Sequence, residues 1–261
     1  MNTKAMRLDR REFCAALGAT LLLPPKLIFS QSEVFAARTY QNSRGQSLPY
    51  RLFVPQAYDK RRSYPLVLWL HGGAGRGVDN LKQISLGNVL GTHVWTTLEQ
   101  QAKNPCLVVA PQCPENLAWA SVDRAQPTAA LRLALELLED LQRTFSIDRR
   151  GLYVSGQSLG GFGAWSAITA HPELFAAAIP LCGGGDELHA PKLTRLPIWA
   201  FHGAMDDLVN VERSRKMIDA ISRAGGRPKY TEYKDLGHAI WDRAFNEPEL
   251  LPWVFAQKRS V

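Results

Sequence analysis

Leu152-Tyr153-Val154-Ser155-Gly156-Gln157-Ser158-Leu159-Gly160 is the stretch that decides the fold. Its first four residues are β-prone, and Ser158 is followed by Gly160, Gly161, Gly163, Ala164 and Ala167, a small-residue run that opens a helix. Ser158 therefore stands where a strand must turn sharply into a helix. A serine in such a turn has a strained backbone, and a Cβ on either flanking residue would crowd the strand or the helix. Glycine at 156 and 160 removes that clash. A bare Gly-x-Ser-x-Gly arises by chance in about one chain in ten of this length, so its weight depends on what surrounds it.

Upstream, the β-like run Tyr64 to Leu70 leads into His71-Gly72-Gly73-Ala74-Gly75. Downstream, Ile198 to Phe201 leads into His202-Gly203-Ala204-Met205-Asp206-Asp207, and Tyr230 to Lys234 is followed by Gly237-His238. The chain order is oxyanion loop, Ser, Asp, His, each after a strand, as in an α/β-hydrolase. Further apolar runs at 106–110, 151–155, 176–181 and 229–233 are separated mostly by helix-length stretches. That pattern predicts a mostly parallel central sheet with helices on both faces. Residues 35–54, turning at Asn42-Ser43-Arg44-Gly45 and ending at Pro55, read as an antiparallel hairpin at the sheet edge.

Helices are predicted over Pro127 to Phe145, where Leu131, Leu135, Leu138 and Leu141 recur at helical spacing, over Val211 to Ala224, and from Pro248 onward. Small residues after Ser158 are poor helix formers and make sense if that helix lies close against the sheet. The gap after the sixth strand, Gly183 to Arg195, is too short for a large cap domain. Length is spent instead on 72–104 and 111–126, which are expected to build a pocket rim carrying Trp95 and Trp119.

The 261 residues, 46% hydrophobic and 21% charged, suit one catalytic domain over 32–261. Residues 1–31 carry three of the seven net positive charges, leaving +4 on the remainder. With no Lys/Arg cluster or aromatic-basic stripe, no nucleic-acid partner is expected. Residues 1–31 read as an export signal of twin-arginine form: Arg10-Arg11 precedes an apolar run to Leu23 that is too short to span a bilayer. A periplasmic or secreted protein without stable membrane insertion is expected, cleaved between Ser30 and Ala37. An amphipathic first helix or a general secretory signal is the alternative. Cys14 lacks the small apolar residues that precede a lipidated cysteine.

Cys106 and Cys113 bracket a strand and lie about 23 Å apart along it, too far for a disulfide. Whether Cys113 and Cys182 meet is left open by the sequence. No Cys-x-x-Cys or His-x-x-x-His spacing occurs, so neither a metal nor another cofactor is expected.

A serine hydroxyl needs a base to take its proton and a carboxylate to orient that base. Ser158, His238 and Asp206 are the candidates. The pattern His-Gly-x-x-Asp-x-x-Val selects Asp206, with Val209 trailing, over Asp207, and Asp186 and Glu187 are runner-up acids. Charge on the tetrahedral oxyanion calls for two preorganised N–H donors: Leu159, and Gly73 or Ala74. Trp241 sits where it could wall the site beside His238. His71 and His202 more naturally brace loops, and His93, His171 and His189 carry no motif.

The stretches Tyr64 to Gly73, Ala110-Pro111-Gln112-Cys113-Pro114, Tyr153 to Gly161 and Gly237 to Asp242 resemble the exported carboxylesterase branch of the α/β-hydrolases, the phospholipase/carboxylesterase or "predicted peptidase" group related to feruloyl and polyester esterases. The resemblance runs from about residue 35 to the end. It implies a metal-free serine esterase with Ser158, Asp206 and His238 as its triad and Gln157 and Trp119 near the substrate. The expected activity is that of a carboxylic-ester hydrolase working through an acyl-enzyme on small or carbohydrate-linked esters, with short or aromatic acyl groups favoured by aromatic walls at Trp95, Trp119 and Trp241 and an uncapped cleft. Gly73-Ala74-Gly75 departs from a full glycine triplet. Rival readings are a peptidase on the same triad and a non-catalytic ligand-binding module. Oligomeric state is not encoded in any motif.

Overall fold

A computed structural model describes residues 34–121 and 126–259; the export-signal reading of residues 1–31 lies outside them. Eight strands form one sheet: β1 (Ala36–Gln41), β2 (Ser47–Phe53), β3 (Tyr64–Leu70), β4 (Leu107–Pro111), β5 (Ile147–Gln157), β6 (Ala177–Leu181), β7 (Trp199–Gly203) and β8 (Lys229–Tyr233). Their spatial order is β1-β2-β4-β3-β5-β6-β7-β8. The β1–β2 hairpin is antiparallel and joins the rest through the antiparallel β2–β4 pair, while every later neighbour is parallel. Strands β4, β6 and β7 are buried along their whole length, as parallel strands covered on both faces must be.

Alternate residues of β3 serve two separate cores. Leu66, Leu68 and Leu70 face one, with α3 (Ala129–Thr144), α4 (Leu159–Ala170) and α5 (Glu212–Arg223) packed over it. Val67 and Trp69 face the other, covered by α1 (Val89–Thr96), α6 (Trp241–Phe245) and α7 (Leu250–Ala256). A further short helix, α2 (Leu98–Lys103), follows α1. On α3 the leucines at 131, 135, 138 and 141 are buried, and truncating Leu138 to Ala would cost about 2–5 kcal/mol through lost burial and the cavity left behind. The segment after β6 holds only a 3-10 turn, Glu187–Leu193.

Helix α4 lies so near the sheet that glycine is obligatory at its start. A Cβ on Gly160 would stand 1.8 Å from the Leu70 carbonyl oxygen, and one on Gly156 would stand 2.2 Å from the Gly160 oxygen. These contacts are to backbone, so no side-chain rearrangement could relieve them. Cys106, Cys113 and Cys182 are free and buried. Burial raises the thiols of Cys106 and Cys113 to about 12, which keeps them protonated and inert.

The expected aromatic rim is corrected by the structure. Trp95 and Trp119 are both 0% exposed. The indole of Trp95 packs edge-on against Phe255 and donates to the Gly91 carbonyl. That of Trp119 donates to the His71 carbonyl at 3.1 Å. Helix α1, which carries Trp95, and the loop after β4, which carries Trp119, turn their indoles inward because a large apolar ring gains more from burial than from a rim, once its N–H finds a backbone acceptor.

Candidate active site

Ser158 joins β5 to α4 with φ 54° and ψ −116°, a left-handed backbone that a non-glycine residue adopts at a cost of about 1–3 kcal/mol. Two bonds hold it there: Ser158 N–H donates to Leu181 O at 2.8 Å, and its carbonyl accepts from Phe162 N–H at 3.1 Å. Its Oγ lies 2.8 Å from Nε2 of His238, whose Nδ1 lies 2.7 Å from Oδ2 of Asp206. The side chain of Asp206 is 0% exposed and that of His238 15%. The other Asp206 oxygen, Oδ1, accepts from the N–H groups of Leu208 and Val209 at 3.0 and 2.8 Å. Burial alone would raise the Asp206 carboxyl, but the Val209 N–H, His238 and the Leu208 N–H outweigh it and hold the group below its ordinary value.

Asp207 is exposed, one residue outside this chain of bonds. Asp186 accepts from the Leu188 N–H and lies 3.9 Å from His189, and Glu187 is exposed. None of the three contacts His238.

The loop after β3 is fixed from two sides. His71, fully buried, accepts the Cys113 N–H at its Nε2 (2.9 Å), so the proton sits on Nδ1, which donates to Gly72 O at 2.6 Å. Gly75 N–H donates to the same carbonyl at 2.9 Å. In a trans peptide the C=O and the following N–H point opposite ways, so pinning Gly72 O aims the Gly73 N–H away from these partners. Among the described residues nothing accepts from it. Gly73 is half-buried and Ala74 exposed; Leu159 is the first residue of α4, where the N–H has no helical acceptor.

Gln157 is corrected from a substrate contact to a support. It is 4% exposed, and its Nε2 donates to Gly87 O at 2.8 Å and to Asn88 Oδ1 at 3.3 Å. Trp241 is half-buried and stands edge-on to the His238 ring, centroids 5.3 Å apart.

Asn88 escaped sequence reasoning. It is buried, its Oδ1 takes the Gly72 N–H at 2.9 Å, and its Nδ2 donates to Lys82 O at 3.1 Å. An Asn before a helix reads as an N-cap, yet its side chain makes no capping bond to α1 and reaches the loop after β3 instead. No local signal marks that long-range contact.

Cys182, His202 and Asp206 bring donor atoms within 4.8 Å of one another. As a cation site the trio is poorly matched: His202 Nε2 faces two acceptors, Val209 O at 2.9 Å and Asp206 Oδ2 at 3.1 Å, and so presents a proton rather than a lone pair. Burial pushes the Cys182 thiol far up, away from the thiolate a metal needs. Two grooves, of about 370 Å³ beside Tyr40, Arg44 and Glu136 and of about 480 Å³ between α1 and α7, are lined by neither Ser158 nor His238. No described helix is long and apolar enough to cross a membrane.

The sheet order, the strained strand-to-helix turn and the helices on both faces place the chain among the α/β-hydrolases of carboxylesterase type. It belongs to the Esterase family, described as "Putative esterase", whose model matches residues 42–248. Among solved structures it is similar to one described as a thermostable esterase, with a TM-score of 0.83 and 38% identity over 87% of this chain and 64% of that one. A ferulic acid esterase structure shares the fold at TM-score 0.64 and 19% identity, covering 84% of this chain and 97% of that one. Curated relatives include a protein named "Probable feruloyl esterase C" from Aspergillus terreus, 28% identical over 144 residues, 55% of this chain and 48% of that one. Another is a bifunctional acetylxylan esterase/xylanase from Neocallimastix patriciarum, 26% identical over 67% of this chain and 24% of that one. The chain thus spans half or less of the length of these two relatives.

Proposed function

We propose that this protein is a serine carboxylic-ester hydrolase working through an acyl-enzyme. The observation that carries the reading is the unbroken hydrogen-bond chain from Ser158 through His238 to Asp206, at 2.8 and 2.7 Å, ending on a carboxylate sealed from solvent. His238 Nε2 takes the Ser158 proton as Oγ attacks the ester carbonyl. Asp206 holds the Nδ1–H tautomer and stabilises the imidazolium. The N–H groups of Leu159 and Gly73 receive the charge that develops on the carbonyl oxygen. Collapse of the tetrahedral intermediate expels the alcohol, which takes the proton from His238, and water repeats the sequence on the acyl-enzyme.

Short-acyl or aromatic-acyl esters are the proposed substrates. Trp241 supplies a flat wall beside His238, and Met205 and Leu208, 66% and 74% exposed, flank Asp206 with apolar surface. An open mouth of this kind admits a bulky alcohol such as a sugar, in keeping with relatives named for feruloyl and acetylxylan ester cleavage. Export to the periplasm or medium is part of the proposal, supported by the Arg10-Arg11 segment and by a relative from Arthroderma benhamiae described as a secreted protein.

A serine-reactive phosphonate should label wild-type protein at Ser158, read by peptide mass spectrometry. Ser158→Ala should lose both labelling and aryl-ester turnover by several orders of magnitude while melting normally. Retention of more than about a tenth of the activity in that variant would overturn the assignment.

A further inference from the structure

A second imidazole touches the same oxygen of Asp206 that His238 uses. His202, at the end of β7, is 0% exposed, and its Nε2 stands 3.1 Å from Asp206 Oδ2 and 2.9 Å from Val209 O. Two acceptors at one ring nitrogen require that nitrogen to carry a proton. The other, Nδ1, lies 2.7 Å from Ser214 Oγ, a buried hydroxyl that also reaches Gly183 O at 3.1 Å. Burial lowers the His202 pKa, so the ring is neutral at physiological pH. A neutral ring with Nε2 protonated has a bare Nδ1, so the single Ser214 O–H turns to it at 2.7 Å and gives up the longer 3.1 Å bond to Gly183 O. Every atom of the ring's edge is thereby assigned, and one tautomer follows.

Asp206 thus receives three N–H hydrogen bonds, from Leu208 and Val209 on Oδ1 and from His238 on Oδ2, and the His202 Nε2–H, bonded to Val209 O, stands 3.1 Å from that same Oδ2. Without His202, Oδ2 would lose a buried N–H group 3.1 Å away and would be tied more closely to the ring whose orientation it sets.

We propose that His202 is a positioning residue for the reaction: its Nε2–H, bonded to Val209 O, also holds Oδ2 of Asp206, the oxygen that His238 uses, with Ser214 selecting the tautomer that presents this proton. The inference rests on the esterase reading for its effect on turnover, but the bond itself does not. His202 contacts no substrate. It acts by keeping Asp206 in the plane where His238 Nδ1–H finds it in every state of the cycle.

The test uses full-length protein in three forms, wild type, His202→Leu and His202→Gln. Leucine deletes the donor, whereas the terminal amide of Gln can reach Asp206 as Nε2 does. With a short-acyl aryl ester, His202→Leu should lower kcat at least 30-fold with KM within threefold, because substrate binding is untouched and orientation is lost. His202→Gln should recover to within about fivefold of wild type. The downfield proton resonance of the His238–Asp206 bond should persist in wild type and in the Gln variant and move upfield or vanish in the Leu variant. A Leu variant within threefold of wild-type kcat, a Gln variant no better than Leu, or an unmoved resonance would overturn the proposal. Should the Leu variant fail to fold, ¹⁵N-histidine NMR of the wild-type protein decides the matter without mutation. Neutral His202 protonated at Nε2 supports the assignment, and protonation at Nδ1 refutes it. An inactive, unlabelled wild type would refute the esterase reading alone, since the tautomer and the shared proton are read without turnover.

Discussion

Acidification should weaken this fold through His71 before it touches the carboxylates. His71 is fully buried, donates from Nδ1 to Gly72 O and accepts the Cys113 N–H at Nε2. Protonating Nε2 would set an N–H against an N–H and bury a cation, and burial accordingly depresses its pKa to about 4. The unfolded chain titrates at about 6.5. A histidine whose folded value is depressed contributes stability above its unfolded pKa and loses it as pH falls toward the folded one. Across the full window, from 6.5 down to about 4, the loss amounts to about 3 kcal/mol, and by pH 5 about 2 kcal/mol of it is gone. His202, lowered in the same direction, adds to the slope. Asp79, held at about 2, and Asp206, also lowered, lose their contributions only as pH falls below the ordinary carboxylate range. Denaturant unfolding of wild type and His71→Gln at pH 7.5, 6 and 5 reads this directly. The variant should start lower by about 1–3 kcal/mol, for its unsatisfied buried N–H, and show a pH slope reduced by about 2 kcal/mol between pH 7.5 and 5. A flat wild-type profile in that range, or an undiminished slope in the variant, would show that His71 does not set the acid sensitivity of the fold.

Asp206→Asn should cut kcat/KM by about 10³–10⁴-fold, because an amide cannot hold the required tautomer, whereas Asp207→Asn, on an exposed neighbour, should stay within threefold; equal losses in a steady-state assay would move the role. Asn88→Ala strands the Gly72 N–H in the interior and should cost about 1–3 kcal/mol in unfolding free energy with kcat falling more than KM rises, and an unchanged kcat would show that the loop after β3 needs no such support. Aryl esters from acetyl to butyryl should turn over well and rates should fall beyond about eight carbons, for want of a deep acyl tunnel; a preference for long chains would contradict an open mouth.

Much of the sheet was legible because parallel strands announce themselves. Continuous apolar runs at 64–70, 176–181 and 198–201 overlap β3, β6 and β7, since a strand buried on both faces has no polar positions to blur it. The strand-to-helix turn was legible for a local reason too: a Cβ at 156 or 160 collides with backbone, so the glycines betray the geometry. Nothing in the sequence places β4 between β2 and β3, because strand order comes from which faces must be buried together after the chain has crossed over. Short helices such as α1 and α6 hide in stretches without sustained periodicity.

Within the site the division is the same. Residue types and spacing set out Ser158, Asp206 and His238 in order along the chain, each at the end of a strand, where local backbone rules act. Only the folded chain decides that His238 reaches across 80 and 32 residues to Ser158 and Asp206. The tertiary structure alone turns Trp95 and Trp119 inward, ties Asn88 to Gly72 and sets His202 against Asp206. Such contacts depend on side-chain direction and on distance in space, and a buried polar group takes whatever partner the packing brings within about 3 Å.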